Sequence, residues 1–232
     1  MTFVADPTTV SIVIPAKDEA LSIAGVVSRL QAAAAWREII VIDDGSTDSS
    51  PAILSGYGDR LRVTRQSNTG IAATRNVGLQ QASGELITFI DQDDLWPVDR
   101  TKVLVEALEA DPAALVAVGQ VEMLYERARP PNPRDNYDTA VREFYLGSLL
   151  VRKELFDILG PFHTGIGYAD DVDFMIRRRE AKIPTVYVDH VTLRYRLHEE
   201  NTSGDRTETN RLLMGALRES LHRRRKAGPP NA

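Results

Sequence analysis

Short, largely apolar runs alternate with amphipathic ones through the first half of the chain. Val10 to Pro15 reads VSIVIP, Glu38 to Asp43 reads EIIVID, Leu61 to Arg65 reads LRVTR and Glu85 to Asp91 reads ELITFID. Continuous β-branched and aromatic runs of this length predict strands, the most apolar of them covered on both faces. Between them Glu19 to Trp36, Ser49 to about Ser55 and Gly70 to Ala82 predict helices. Pro97 to Ala110 predicts another, with Pro97 in its first turn, where a missing N–H costs nothing. Strands alternating with helices predict an α/β fold with a mainly parallel central sheet.

The second half is less regular. Leu115 to Glu126 predicts a strand, and the proline-rich RARPPNPRDN (127 to 136) a loop. Gly147 to Arg152 predicts another strand, Ala169 to Glu180 a helix, and Thr185 to Leu197 one long strand or two short ones. Thr207 to Lys226 is helical in pattern, with Leu212, Leu213, Leu217 and Leu221 ahead of Arg223-Arg224-Arg225-Lys226. That pattern fits a helix packed on the body, its basic end complementing the helix dipole. It also fits an amphipathic helix making peripheral contact with an anionic membrane. No internal repeat and no inter-domain linker interrupts the chain, so one domain is expected.

Composition narrows the classes. The 232 residues carry a formal net charge of −5, with 43% hydrophobic and 26% charged positions, as in a soluble globular protein. That charge speaks against nucleic acid as a partner. With no cysteine there is neither a disulfide framework nor a thiolate metal site. No signal peptide or transmembrane segment is recognisable, so a cytoplasmic location is expected.

Candidate chemistry gathers at strand ends. The first strand runs into Pro15-Ala16-Lys17-Asp18-Glu19, the second into Asp43-Asp44-Gly45-Ser46-Thr47-Asp48 and the fourth into Asp91-Gln92-Asp93-Asp94. Open parallel sheets bind ligands outside the carboxyl ends of their strands. Each cluster taken alone also fits a turn or a helix cap. Together they predict one acidic rim. Three carboxylates within four positions repel one another, so a cation is expected among them, and hard oxygen ligands suit Mg2+ or Mn2+. Mg2+ completes its shell with water and phosphate, which makes a diphosphate the natural ligand. No GxxxxGK[ST] and no GxGxxG after the first strand is present.

The segments SIVIPAKDEA (11 to 20), VIDDGSTD (41 to 48), NTGIAATRNVGLQQASGELITFIDQDD (68 to 94) and YADDVDFMIRR (168 to 178), with a weaker YRLHEENTS (195 to 203), resemble the inverting glycosyltransferases of family 2. The resemblance implies a GT-A fold, a single Rossmann-like domain over residues 1–232. It would have a nucleotide-sugar-binding half at about 10–110, an acceptor-side half at about 111–206, and a C-terminal helix and tail at 207–232. It implies a nucleotide-diphosphate sugar donor, most commonly a UDP-sugar, and a hydroxyl acceptor such as a glycan, a lipid-linked sugar or a small molecule. Pro15 and Glu19 would border the nucleoside, Asp44 would accept a hydrogen bond from the base, and Arg75 would lie near base and phosphates. Asp91 and Asp93 match the DxD motif, with Asp93 as the leading metal ligand and Asp91 aimed at ribose or metal-bound water. His198 matches a histidine that reaches the metal or diphosphate in some members.

Asp171 aligns with the catalytic base, which takes the acceptor's proton as the hydroxyl attacks the anomeric carbon. Asp170 would help to hold the acceptor, and Trp96 either packs beneath the site or touches the acceptor. Lys17-Asp18 stands where many members have Tyr-Asn, and Asp170-Asp171 where Glu-Asp is usual, so base stacking and the acceptor contact are the points of departure. Two other classes compete: a sugar-phosphate nucleotidyltransferase, which calls for a basic glycine-rich loop that Lys17 alone does not make, and a non-catalytic nucleotide-sugar-binding module.

Overall fold

The computed structural model describes residues 7–125, 145–197 and 206–227. Among these, seven strands form one sheet: β1 (Val10–Ala16), β2 (Glu38–Asp43), β3 (Arg62–Arg65), β4 (Leu86–Phe89), β5 (Val116–Tyr125), β6 (Leu149–Arg152) and β7 (Thr185–Leu197). Their order is β3-β2-β1-β4-β6-β5-β7. β1 pairs in parallel with β2 and β4, and β2 with β3; β6 runs antiparallel to both β4 and β5, and β7 is parallel to β5. Six strands therefore share one direction and β6 alone opposes them.

The helices are α1 (Ile23–Ala33), α2 (Ser50–Ser55), α3 (Ile71–Gln81), α4 (Arg100–Ala110), α5 (Leu155–Leu159), α6 (Asp170–Glu180) and α7 (Arg206–Ala227). Side chains alternate across a strand, so β1 feeds two cores at once. Val10, Ile12 and Ile14 join Val26 and Leu30 of α1, Leu54 of α2 and Leu104 and Leu108 of α4. Val13 joins Leu79 of α3, Phe156 of α5 and Phe174 and Met175 of α6 on the other face. Burial on both faces explains why the strand runs are continuously apolar rather than alternating. Helix α3 lies so close to β1 that a β-carbon on Gly78 would sit 2.3 Å from Val13 Cγ1.

Several boundaries differ from the sequence reading. The first helix starts at Ile23, not Glu19; ahead of it the chain is tied to the segment after β2, Glu19 N donating to Ser50 Oγ (2.8 Å) and Ala20 N to Asp48 Oδ2 (2.9 Å). It ends at Ala33, where Trp36 Nε1 folds back onto the Leu30 carbonyl (2.6 Å) and Ala34 is extended. The fourth strand stops at Phe89, before the acidic turn. Thr185 to Leu197 is one strand, with register shifts against β5 around Gln120. Helix α5, which the sequence reading left out, has only five residues, too few for a periodic signal. The loop expected at 127 to 136 lies outside the described residues. No helix among them is long and apolar enough to cross a membrane.

Candidate functional site

Because β2, β1 and β4 are adjacent and parallel, their carboxyl ends form one rim, as the three acidic clusters required. Pro15 is buried within β1, and the rim begins at Lys17. Asp18 adopts a left-handed backbone (φ 55°), a conformation that Asp tolerates better than most residues. Its N–H donates to Ser46 Oγ (2.9 Å), and its Oδ1 accepts from Thr47 N (2.7 Å). The Thr47 backbone bond is the main force holding the Asp18 pKa below the usual carboxylate value. Gly45, at φ 79°, lets the second loop turn; a β-carbon there would be 2.9 Å from Asn68 N. Glu19 Oε1 accepts from Gln92 Nε2 (2.9 Å), fastening the first loop to the acidic turn. Departing from Tyr-Asn to Lys17-Asp18 thus puts a loop-bridging carboxylate next to the place where the resemblance expects a stacking ring.

Asp44 is 4% exposed and collects four donors: Gln66 Nε2 (2.8 Å), Thr69 N (2.9 Å), Thr69 Oγ1 (3.2 Å) and Gly70 N (2.9 Å). Burial alone would raise its pKa, but these bonds outweigh it and the net shift is downward. The carboxylate that the resemblance assigned to the base is also an anchor for the start of α3.

Around the acidic turn the three aspartates have different environments. Asp91 is 36% exposed, Asp93 is half-buried and Asp94 is 3% exposed. Asp94 N closes the turn onto the Asp91 carbonyl (3.2 Å), and Asp94 Oδ1 accepts from Arg196 N of β7 (3.2 Å). The Arg196 guanidinium also donates to the Asp93 carbonyl, and Leu95 bridges Arg194 through two backbone bonds. Burial, with Asp91 and Asp93 adding repulsion, pushes the Asp94 carboxyl up to about 9. Burial thus favours the protonated form of Asp94.

Arg75, on α3, is buried beneath this rim. Its Nη2 donates to Asp91 Oδ1 (3.0 Å) and its Nη1 to Asp170 Oδ2 (2.8 Å). Burial lowers an arginine's pKa, yet Asp170, Asp91 and Asp171 together raise this one. Asp170 has no exposed surface, so it lies behind the rim, paired to Arg75, and not at an acceptor-facing surface. Its Oδ1 has no donor among the described residues. Asp171, the next residue in the first turn of α6, is half-buried and its Oδ1 accepts from Val172 N (2.6 Å). Burial, then Asp170, push its pKa up to about 7, with Arg75 opposing. Asp173 points elsewhere, between Arg177 Nε and Arg223 Nη1 (each 2.8 Å). Trp96 donates to the Gly147 carbonyl (3.1 Å) and lies 3.7 Å under the guanidinium of the fully buried Arg100, so it packs beneath the site. His198 lies outside the described residues.

No group of three His, Asp or Glu side chains converges on a metal position among the described residues. Mg2+ commonly takes only one or two carboxylates and leaves the remainder of its shell to water and phosphate. Asp93, with Asp91, meets that requirement, although Asp91 also shares its charge with Arg75. Gln66, Thr69, Gln92 and Arg196 organise the rim without having been marked in the sequence. Gln92 could have been noticed from its place between two aspartates; Arg196, about 100 residues away, gives no local sign.

A mainly parallel sheet with helices on both faces and an acidic rim over the central strands defines a GT-A fold. Solved structures agree: a mannosyltransferase of Pyrobaculum calidifontis in complex with GDP-Man and Mn2+ superposes with a TM-score of 0.70 at 24% identity, over 92% of this chain and 64% of that one. TarS of Staphylococcus aureus (residues 1–349, with UDP) superposes with a TM-score of 0.68 at 21% identity, over 90% and 65%. At these identities the likeness is one of fold. An uncharacterized glycosyltransferase of Rickettsia typhi is 25% identical over 181 residues, 72% of this chain and 56% of that protein. The chain thus spans little more than half of that relative's length. The model described as glycosyl transferase family 2 matches residues 11–173, and the chain belongs to that family.

Proposed function

We propose that this chain is an inverting glycosyltransferase that moves a sugar from a nucleotide-diphosphate donor to a hydroxyl acceptor, with Asp171 as general base. The observation that carries the reading is the run Asp91–Arg75–Asp170–Asp171, in which one buried guanidinium ties the DxD turn to the helix start holding the base. Inversion needs a base on the face opposite the departing diphosphate, and a carboxyl titrating near 7 is suited to accept a proton at neutral pH. Residues of about 10–110 would hold the donor and those of about 111–206 the acceptor. Pro15, Glu19 and Asp44 would line the nucleoside side, with Arg75 acting through Asp91. A divalent ion bound by Asp93 and Asp91 would neutralise charge developing on the leaving diphosphate. The TarS structure with UDP and the mannosyltransferase structure with GDP-Man make uridine and guanosine donors the first to try.

The test is nucleoside diphosphate release from a panel of such donors, by the wild type and by Asp171→Asn. General-base loss is expected to slow transfer by about 10² to 10⁴ while donor affinity stays unchanged. Equal rates for the two proteins would refute the assignment of Asp171.

A further inference from the structure

Helix α7 has two faces of different character. Leu212, Ala216 and Ser220 are buried, the first two packing with Ile166 and Ala169 ahead of Asp170. Arg223 and Arg224 reach back to Asp173 and Glu180 and hold the basic end onto α6. About half a turn round the helix, Met214, Leu217 and Leu221 are 51%, 48% and 53% exposed. Their spacing of three and four residues puts them on one stripe. Arg218 follows Met214 by four residues and Arg225 follows Leu221 by four, so both flank the stripe, while Lys226 lies further round the helix at its end. All three cations are exposed, and none has a carboxylate partner among the described residues. The basic residues of the helix are thus divided: Arg223 and Arg224 hold it down, while Arg218 and Arg225 face outward beside uncovered apolar side chains.

We propose that this outward face of α7 docks on an anionic lipid bilayer. Apolar residues entering the interface beside cations that meet lipid headgroups is the composition such a surface requires. A second copy of the chain fits less well. Stable dimers bury on the order of 1,200 Å² or more, beyond the reach of three half-exposed side chains, and the copy would bring the same cations against these. Because the inner face of α7 rests on the turn leading into Asp170 and Asp171, docking sets the candidate base roughly one helix diameter, about 10–12 Å, from the headgroups.

The test is flotation of the full chain with vesicles of phosphatidylcholine alone or mixed with phosphatidylglycerol. Binding to the mixed vesicles only, lost at high salt, is expected. The double variant Leu217→Asp, Leu221→Asp should weaken it about tenfold or more while keeping the wild-type melting temperature. Arg218→Glu with Arg225→Glu, which spares the apolar stripe, should weaken it too. Wild-type protein that ignores anionic vesicles, or a double aspartate variant that floats equally well, would overturn the proposal. So would a solution dimer that dissociates in the double aspartate variant without any vesicle binding by the wild type. Nucleoside diphosphate binding measured without vesicles reports on the transferase reading separately.

Discussion

One guanidinium, that of Arg75, compensates carboxylates from opposite halves of the chain. Replacing it with methionine keeps much of the side-chain volume but leaves a buried carboxylate unpaired, which is expected to cost about 3–5 kcal/mol, read from urea denaturation. Asp171 makes a prediction with a sign. Its pKa is raised in the fold, from 3.8 to about 7, so the folded state binds the proton more tightly than the unfolded chain does. Its contribution to stability is therefore intact below pH 4 and declines as pH rises through 7. Asp171→Asn should melt above the wild type at pH 8 and close to it near pH 4, while wild-type transfer falls as pH drops below about 7. At this scale the strand-end position of Asp91 and Asp93 was legible from the residues themselves, whereas Asp171 was singled out by the family resemblance. The Arg196–Asp94 bond and the Arg75–Asp170 pair were not legible, since each joins groups about 100 residues apart in the chain.

At the scale of elements, the strands were legible where both faces are buried, because continuous β-branched runs have few other uses. Helix ends were less so. The segment ahead of α1 is held by Asp48 and Ser50, side chains about 30 residues on in the chain, which accept from Ala20 N and Glu19 N. The reversed direction of β6 was hidden as well, for GSLLVR reads the same way in either direction. The packing of α3 on β1 yields a prediction at this level. Gly78→Ala adds a methyl that must displace Val13, and overpacking of this kind is expected to cost about 1–3 kcal/mol, visible as a lowered melting temperature. Val13→Ala in the same chain should recover part of that loss.

For the molecule as a whole, strand order matters more than any single motif: placing β1 between β2 and β4 brings three loops together whose acidic residues span positions 18 to 94. That convergence followed from the alternation of strands and helices before any geometry was available, whereas the linkage of the rim to β7 through Leu95 and Arg194 did not. A diphosphate bound at this rim should stabilise the entire fold. At a free concentration about 100 times its dissociation constant it would add about 2.7 kcal/mol, so a nucleoside diphosphate with Mn2+ should raise the melting temperature and EDTA should reverse the rise. The Arg75 link also bears on recombination. In a hybrid that takes residues up to 90 from this chain and the remainder from a relative, Arg75 would depend on acids supplied by the other parent at both 91 and 170. Crossovers that keep that matched trio intact should yield folded hybrids more often than those that break it.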